Sequence, residues 1–255
     1  MMLLLILNTL FFSTHGSTAY AQDNYEIQVY GSELMPPQVT MVELHSNFTF
    51  ATSKLQSSDL LPTDHVFHET VEVTRGINPW MEVGVYFFNS IGSEDRTTYV
   101  GSHICPRFSV PESEHLPVGL SISFEFGFQK KEFCQDDWTL EIRPIIDKSL
   151  GPWYFAFNPT FDHSLHGDNS GAGFIFSPNF KAGYSISPVV APGVEYYGTT
   201  GPIFAPSPVS LEQHQIFGVI DLNFSSEWEF NAGYGVGLTD SSARSILKII
   251  LGRRF

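Results

Sequence analysis

Nucleophilic catalysis needs a Ser or Cys within hydrogen-bond reach of a base that a third group orients. The run His163-Ser164-Leu165-His166-Gly167-Asp168-Asn169-Ser170-Gly171 gathers those residue types most densely. Its spacing does not suit them. A strand puts residues i and i+2 on one face, yet the run holds no His-x-Ser pair, and His166 and Ser170 stand four apart in Gly-rich sequence. A polar surface loop is the better reading, so no catalytic residue is assigned and a lipid hydrolase ranks last of three functions. His45, His68 and His103 share a face on three separate segments, where imidazoles serve more often as hydrogen-bonded fillers than as metal ligands. No metal or cofactor site is assigned.

The denser chemistry is ionic. On the strand phase set out below, Glu43, Glu72, Glu82, Glu125, Glu141, Glu195, Asp221 and Glu229 point the same way as Arg107, Arg143, Lys181, Lys248 and Arg254. Glu141 and Arg143 are two apart on one face, so each reaches the other and its cross-strand neighbours. Such a set makes either a salt-bridge network filling an interior or a charged constriction that selects ions and polar solutes. Glu125, Glu141, Glu195 and Glu229 are the leading selectivity candidates, joined by Asp221 and Lys248, with Arg143 and Lys181 as counter-charges.

The elements that carry these charges are strands of unusual length. From Val118 to Phe128 the residues Val118, Leu120, Ile122, Phe124, Phe126 and Phe128 alternate with Gly119, Ser121, Ser123, Glu125 and Gly127. Soluble strands average about five or six residues, whereas about ten, tilted, cross a bilayer. The pattern recurs over 38–50, 64–75, 80–89, 98–108, 118–129, 137–147, 153–161, 173–185, 190–197, 213–224, 227–238 and 244–255. Twelve antiparallel strands in an up-and-down transmembrane barrel are expected, the even count returning both ends to the periplasm. Connections alternate between longer polar ones, such as 198–212, and tight ones, such as Ser225-Ser226, as external loops and periplasmic turns do. The acidic Glu94-Asp95, Asp136-Asp137, Asp162 and Asp168 are assigned to the outer rim.

Residues 1–21 read as a secretory signal, with an apolar stretch through Phe12 and a small-x-small site at Ala19-Tyr20-Ala21. Residues 22–37 form an arm, periplasmic or lumenal: Tyr25 to Tyr30 alternates like a strand, but Pro36-Pro37 forbids ladder pairing. The barrel occupies 38–255.

The chain of 255 residues carries 27 acidic against 13 basic side chains, net −14, which argues against nucleic acid as a partner. Aromatic residues are 15 %, including 23 Phe, the compositional trace of a lipid face and its girdles. Cys105 falls near the periplasmic end of the fourth strand and Cys134 in the external connection after the fifth, beyond the ~7 Å Cα limit for a disulfide.

The last strand, alternating Leu247, Ile249 and Leu251 and ending in Phe255, resembles the assembly signal of bacterial outer-membrane barrels. More narrowly, Thr139 to Asp147, Trp153-Tyr154, Asn158-Pro159, Ser164 to Gly167 and Gly235 to Thr239 resemble a family of functionally uncharacterised porin-like barrels, with a departure at Arg253. The resemblance implies residence in the outer membrane of a Gram-negative bacterium, contact with its lipids and lipopolysaccharide, and recognition of the final strand by the barrel assembly machinery. The leading expectation is a narrow passive channel for small polar solutes or cations. A non-conducting structural or surface-interaction barrel comes second.

Overall fold

The computed structural model describes residues 24–55, 60–92, 96–111 and 114–255; the expected signal segment lies outside them. Twelve strands follow in chain order: β1 Thr40–Ala51, β2 Val66–Asn78, β3 Met81–Ile91, β4 Thr97–Ser109, β5 Gly119–Gln129, β6 Trp138–Leu150, β7 Trp153–His166, β8 Phe174–Tyr184, β9 Val190–Thr199, β10 Gln213–Leu222, β11 Trp228–Gly237 and β12 Ser245–Arg254. Each pairs antiparallel with its neighbours in sequence, and β1 pairs with β12 to close the barrel. Closure leaves no unpaired edge, which a membrane-spanning sheet requires. Thr40 and Phe255 exchange backbone hydrogen bonds of 3.1 and 2.8 Å, knitting the final residue into the seam.

Strand alternation sorts side chains to two faces. In β5, Ser121, Ser123 and Glu125 are buried inside, whereas Phe126 is 41 % exposed on the outside. Leu44, Phe87, Ile104, Ile146, Phe157 and Leu251 share that outer face, and Trp80, Trp153 and Trp228 flank it at one end. An apolar surface of this extent suits hydrocarbon and not water. Arg253, the departure from the aromatic pattern, lays its guanidinium 5.2 Å over the Trp228 ring and 4.8 Å over that of Phe255. Its charged head thus stays at the interface end of the strand.

One boundary differs from expectation in a way that matters. The polar residues after Phe161 suggested a loop, but β7 continues to His166, pairing Glu141 with Asp162. Asp162 therefore faces the interior and is not a rim residue. Polarity misled because an inward-facing position beside a hydrated lumen tolerates a carboxylate as readily as a loop does.

The arm enters at the same end as Thr40 and runs back up inside the barrel. Gln38, at φ 68°, makes the reversal, and its N–H donates to the Gly76 carbonyl at 2.8 Å. A Cβ on Gly76 would lie 2.2 Å from the Pro36 carbonyl oxygen, so only glycine lets the arm pass.

Candidate functional site

Every charged residue assigned inward lies on the lumenal face, and most are paired. Arg143 Nε lies 2.7 Å from Glu141 Oε1. Lys181 Nζ donates to Asp221 at 2.9 Å and lies 3.2 Å from Glu195. Lys248 is fully buried and donates to Glu195 on the other side. Arg254 pairs with Glu229 at 3.0 Å, Arg107 with Glu82 at 2.5 Å, and His103 with Glu125 at 2.5 Å. The apparent acidic surplus is thus largely spent on partners.

The arm supplies much of what fills the remaining space. Its backbone, without strand pairing from 26 to 31, satisfies itself on strand side chains because no ladder neighbour is available. Tyr30 N–H donates to Asn158 Oδ1 at 2.7 Å, and Asn158 Nδ2 donates back to the Tyr30 carbonyl at 3.0 Å. Ser32 N–H and hydroxyl both reach the Asp147 carboxylate, at 3.1 and 2.7 Å. Thr70 donates to the Tyr25 carbonyl at 2.7 Å, and Met35 N–H donates to Glu82 at 2.6 Å. Arg143 and Arg107 flank the Tyr30 ring, 4.7 and 5.5 Å from its centroid. Apolar arm residues pack as in a soluble core: Ile27 and Val29 join Tyr197, Phe217 and Ile246, while Tyr25 joins Tyr86 and Phe88.

Above the arm, at the end bearing the long loops, lies a cavity of about 330 Å³. Thr160, Ser177, Asn179, Thr199 and Gln213 contribute polar walls, and its floor is Glu26, Gln28, Glu125, Glu141, Arg143 and Asp162. The lining reaches down to Gln28 of the arm and includes none of the more basal Glu82, Arg107, Asp147 or Asp221. Four carboxyls stand with Arg143 and His103 at the floor, in a setting where water screens charge poorly.

Of the named site residues, Glu125, Glu141 and Arg143 meet at this floor, and Glu195, Lys181, Asp221 and Lys248 form a second cluster beneath Tyr197. Glu229 stands apart with Arg254 at the opposite end. Sequence reasoning missed Glu26, Tyr30, Asp147 and Asp162 as lumenal groups. Asp147 shares the parity of Glu141 and Arg143 and was available from it; Glu26 was signalled only by strand-like alternation lacking a partner strand. The His163–Gly171 run forms no triad: Ser164 donates to Asp136 at 2.8 Å, and His166 Nδ1 lies 2.5 Å from Asp137. These contacts tie the top of β7 to the loop before β6. Neither cysteine is in a disulfide among the described residues: Cys105 is buried, and the half-buried Cys134 thiol donates to the Asp136 carbonyl at 3.1 Å.

The fold has solved counterparts. The COG4313 outer membrane channel from Pseudomonas putida F1 superposes with TM-score 0.62 at 11 % identity, covering 90 % of this chain and all of that one. The KdgM porin gives 0.55 at 8 % identity over 84 % and 99 % of the two chains, and the NanC porin 0.54 at 7 % over 83 % and 97 %. This chain has the fold of the small outer-membrane porins. No family model matches it, and no curated sequence does.

Proposed function

We propose that the protein is a narrow passive channel of the Gram-negative outer membrane for small polar solutes, cations preferred, throttled by its own N-terminal arm. The observation that carries this reading is the polar cavity of about 330 Å³ whose acidic floor contains arm residues Glu26 and Gln28. Its walls offer hydroxyls and amides to replace water around a solute, and its carboxyls favour positive charge. The fold shared with outer-membrane channels supports the same reading. Glu125, Glu141 and Asp162 would set selectivity, with Arg143 as their counter-charge. Outer-membrane lipid and lipopolysaccharide would meet the apolar belt, and the assembly machinery would read the strand ending in Phe255.

A second reading, a non-conducting barrel, is favoured by the number of hydrogen bonds fixing the arm. Planar-bilayer recording of refolded protein, with and without residues 22–33, separates the two. Under the channel reading the full chain opens in small steady steps, and the shortened chain conducts several-fold more. Silence from the full chain with conduction only after truncation supports the plugged barrel, and silence from both ends the channel reading.

A further inference from the structure

Near the arm-entry end of the barrel, Glu43 and His45 of β1 face Glu72 of β2, with Glu43 and Glu72 directly opposite in register. All three are buried, His45 completely. Like charges placed directly across a ladder are destabilising, and burial makes an unneutralised pair costlier. Among the described residues the nearby guanidiniums make their ion pairs elsewhere: Arg107 with Glu82 and Arg254 with Glu229. Glu72 Oε1 accepts from Thr74 at 2.6 Å, while its Oε2 has no aligned hydrogen bond. Neither ring nitrogen of His45 makes one either, although Nε2 stands 3.3 Å from that same Oε2. One nitrogen and two carboxylate oxygens thus converge to within 4.8 Å of one another, deep in the wall and short of partners.

We propose that Glu43, His45 and Glu72 form a divalent transition-metal site suited to Zn²⁺, a structural clamp between the first two strands. Zinc takes imidazole nitrogen and carboxylate oxygen at about 2.0–2.2 Å, so tetrahedral donors stand roughly 3.4 Å apart. The His45–Glu72 separation of 3.3 Å already meets that spacing. Only Glu43 must close, and its chain is flexible. Gly252 on β12 leaves the room, since a Cβ there would come within 2.9 Å of Glu43 Cγ. The ion neutralises the facing carboxylates and fills the orphaned valences in one step, and a fourth position remains for water. The mixed donor set disfavours Ca²⁺ and Mg²⁺, which prefer oxygen alone. Strand-end position gives access from the periplasmic mouth, as Glu43 lies three residues above Thr40, where β1 begins.

The test is Zn²⁺ binding to the refolded full chain, stripped with chelator and followed by equilibrium dialysis, with Co²⁺ absorption as a report on ligand geometry. One ion per barrel is expected, with visible d–d bands of a four- or five-coordinate site. Zn²⁺ should also raise the thermal unfolding midpoint. Glu43→Gln and His45→Gln should each weaken binding at least a hundredfold and abolish the midpoint shift. Asp240→Asn, in an exposed outer loop, should bind as the parent does. Failure of the parent barrel to take up one equivalent overturns the site, and this arm needs no variant to fold. Uptake that survives both Glu43→Gln and His45→Gln overturns it equally, as does an octahedral Co²⁺ spectrum without imidazole character.

Discussion

Lys248 and Ile27 are joined across the inside of the barrel: the Lys248 ammonium donates to the Ile27 carbonyl at 3.0 Å, though 221 residues separate them in sequence. The same ammonium donates to Glu195 and lies 5.7 Å from the Tyr197 ring centroid. A single buried cation therefore ties the arm, β12 and β9 together, and the arm is integral to the packed interior.

Replacing Lys248 with Met should test that tie. The change strips the Ile27 carbonyl and Glu195 of one partner each, while Lys181 stays 3.2 Å from Glu195. The loss should be about 3 kcal/mol, the low end for breaking a buried pair. Adding Glu195→Gln should recover more than about 1 kcal/mol of it, because a buried carboxylate left with Lys181 alone is removed and Lys181 keeps Asp221. Denaturant unfolding in detergent micelles, read by tryptophan fluorescence, measures both. Strict additivity of the two changes would show the residues to be uncoupled.

Loop lengths orient the barrel. The connections at one end reach residues 200–212, while those at the other shrink to 151–152. With long loops facing outward, an epitope tag inserted at Gly171 should be labelled by antibody on intact cells. A tag between Ser225 and Ser226 should be reached only after the outer membrane is opened. The opposite pattern would invert the topology.

Strand number and phase were legible because the lipid face is written as a period-two run of large apolar residues, clearest in β5. The pairing of Glu141 with Arg143 was legible for the same reason, being local to one strand face. What period alone does not carry is which distant charges share an interior. Lys181 finds Asp221 and Glu195 from neighbouring and next-neighbouring strands, a consequence of barrel curvature and stagger. Nor does it carry the arm's destination. Tyr25 to Tyr30 looks like a strand, but its partners are side chains such as Asn158 and Thr70. Of the three histidines read as hydrogen-bonded fillers, His103 is bonded to Glu125, whereas neither ring nitrogen of His68 makes a hydrogen bond and its ring meets Tyr25 edge-on at 4.9 Å. His45 differs because two carboxylates from adjacent strands converge on it, which only the register reveals.

Acid should loosen the outer loops where His166 meets Asp137. His166, at the top of β7, hydrogen-bonds the Asp137 carboxyl and holds it below the ordinary carboxylate range near ~3.9. A lowered value means the contact contributes at every pH above the unfolded value and is lost as pH falls through the folded one. A nitroxide on Ser170, in the adjoining loop, should keep one mobility from pH 8 to 5 and sharpen below about pH 4. In Asp137→Asn the label should already be mobile at pH 7. A transition confined to pH 6–7 in the parent would assign the switch to another group.

On the channel reading, selectivity would be set at the floor, where Arg143 has two carboxylate partners. Glu141 binds it at 2.7 Å, and Glu26 of the arm lies 3.5 Å away, with the Tyr30 ring beneath. Glu141→Gln therefore does not strand the guanidinium, and its cost in stability should fall below the about 3–5 kcal/mol of a broken buried pair. Its effect on permeation should be larger, since one of four floor carboxyls is gone while the positive charge stays. In a salt gradient across a planar bilayer, the reversal potential should move toward zero relative to the parent. The difference should be greatest near 0.1 M salt, where the screening length is about 10 Å, and small at 1 M, where it is about 3 Å. Adding Glu26→Gln to Glu141→Gln leaves Arg143 without a carboxylate partner within 4 Å among the described residues. That double change leaves two floor carboxyls beside Arg143 and His103, so it should abolish the cation preference, and it should destabilise by more than the sum of the singles. Equal reversal potentials for parent and Glu141→Gln would remove Glu141 from the selectivity filter, and an anion preference in the parent would end the cation reading.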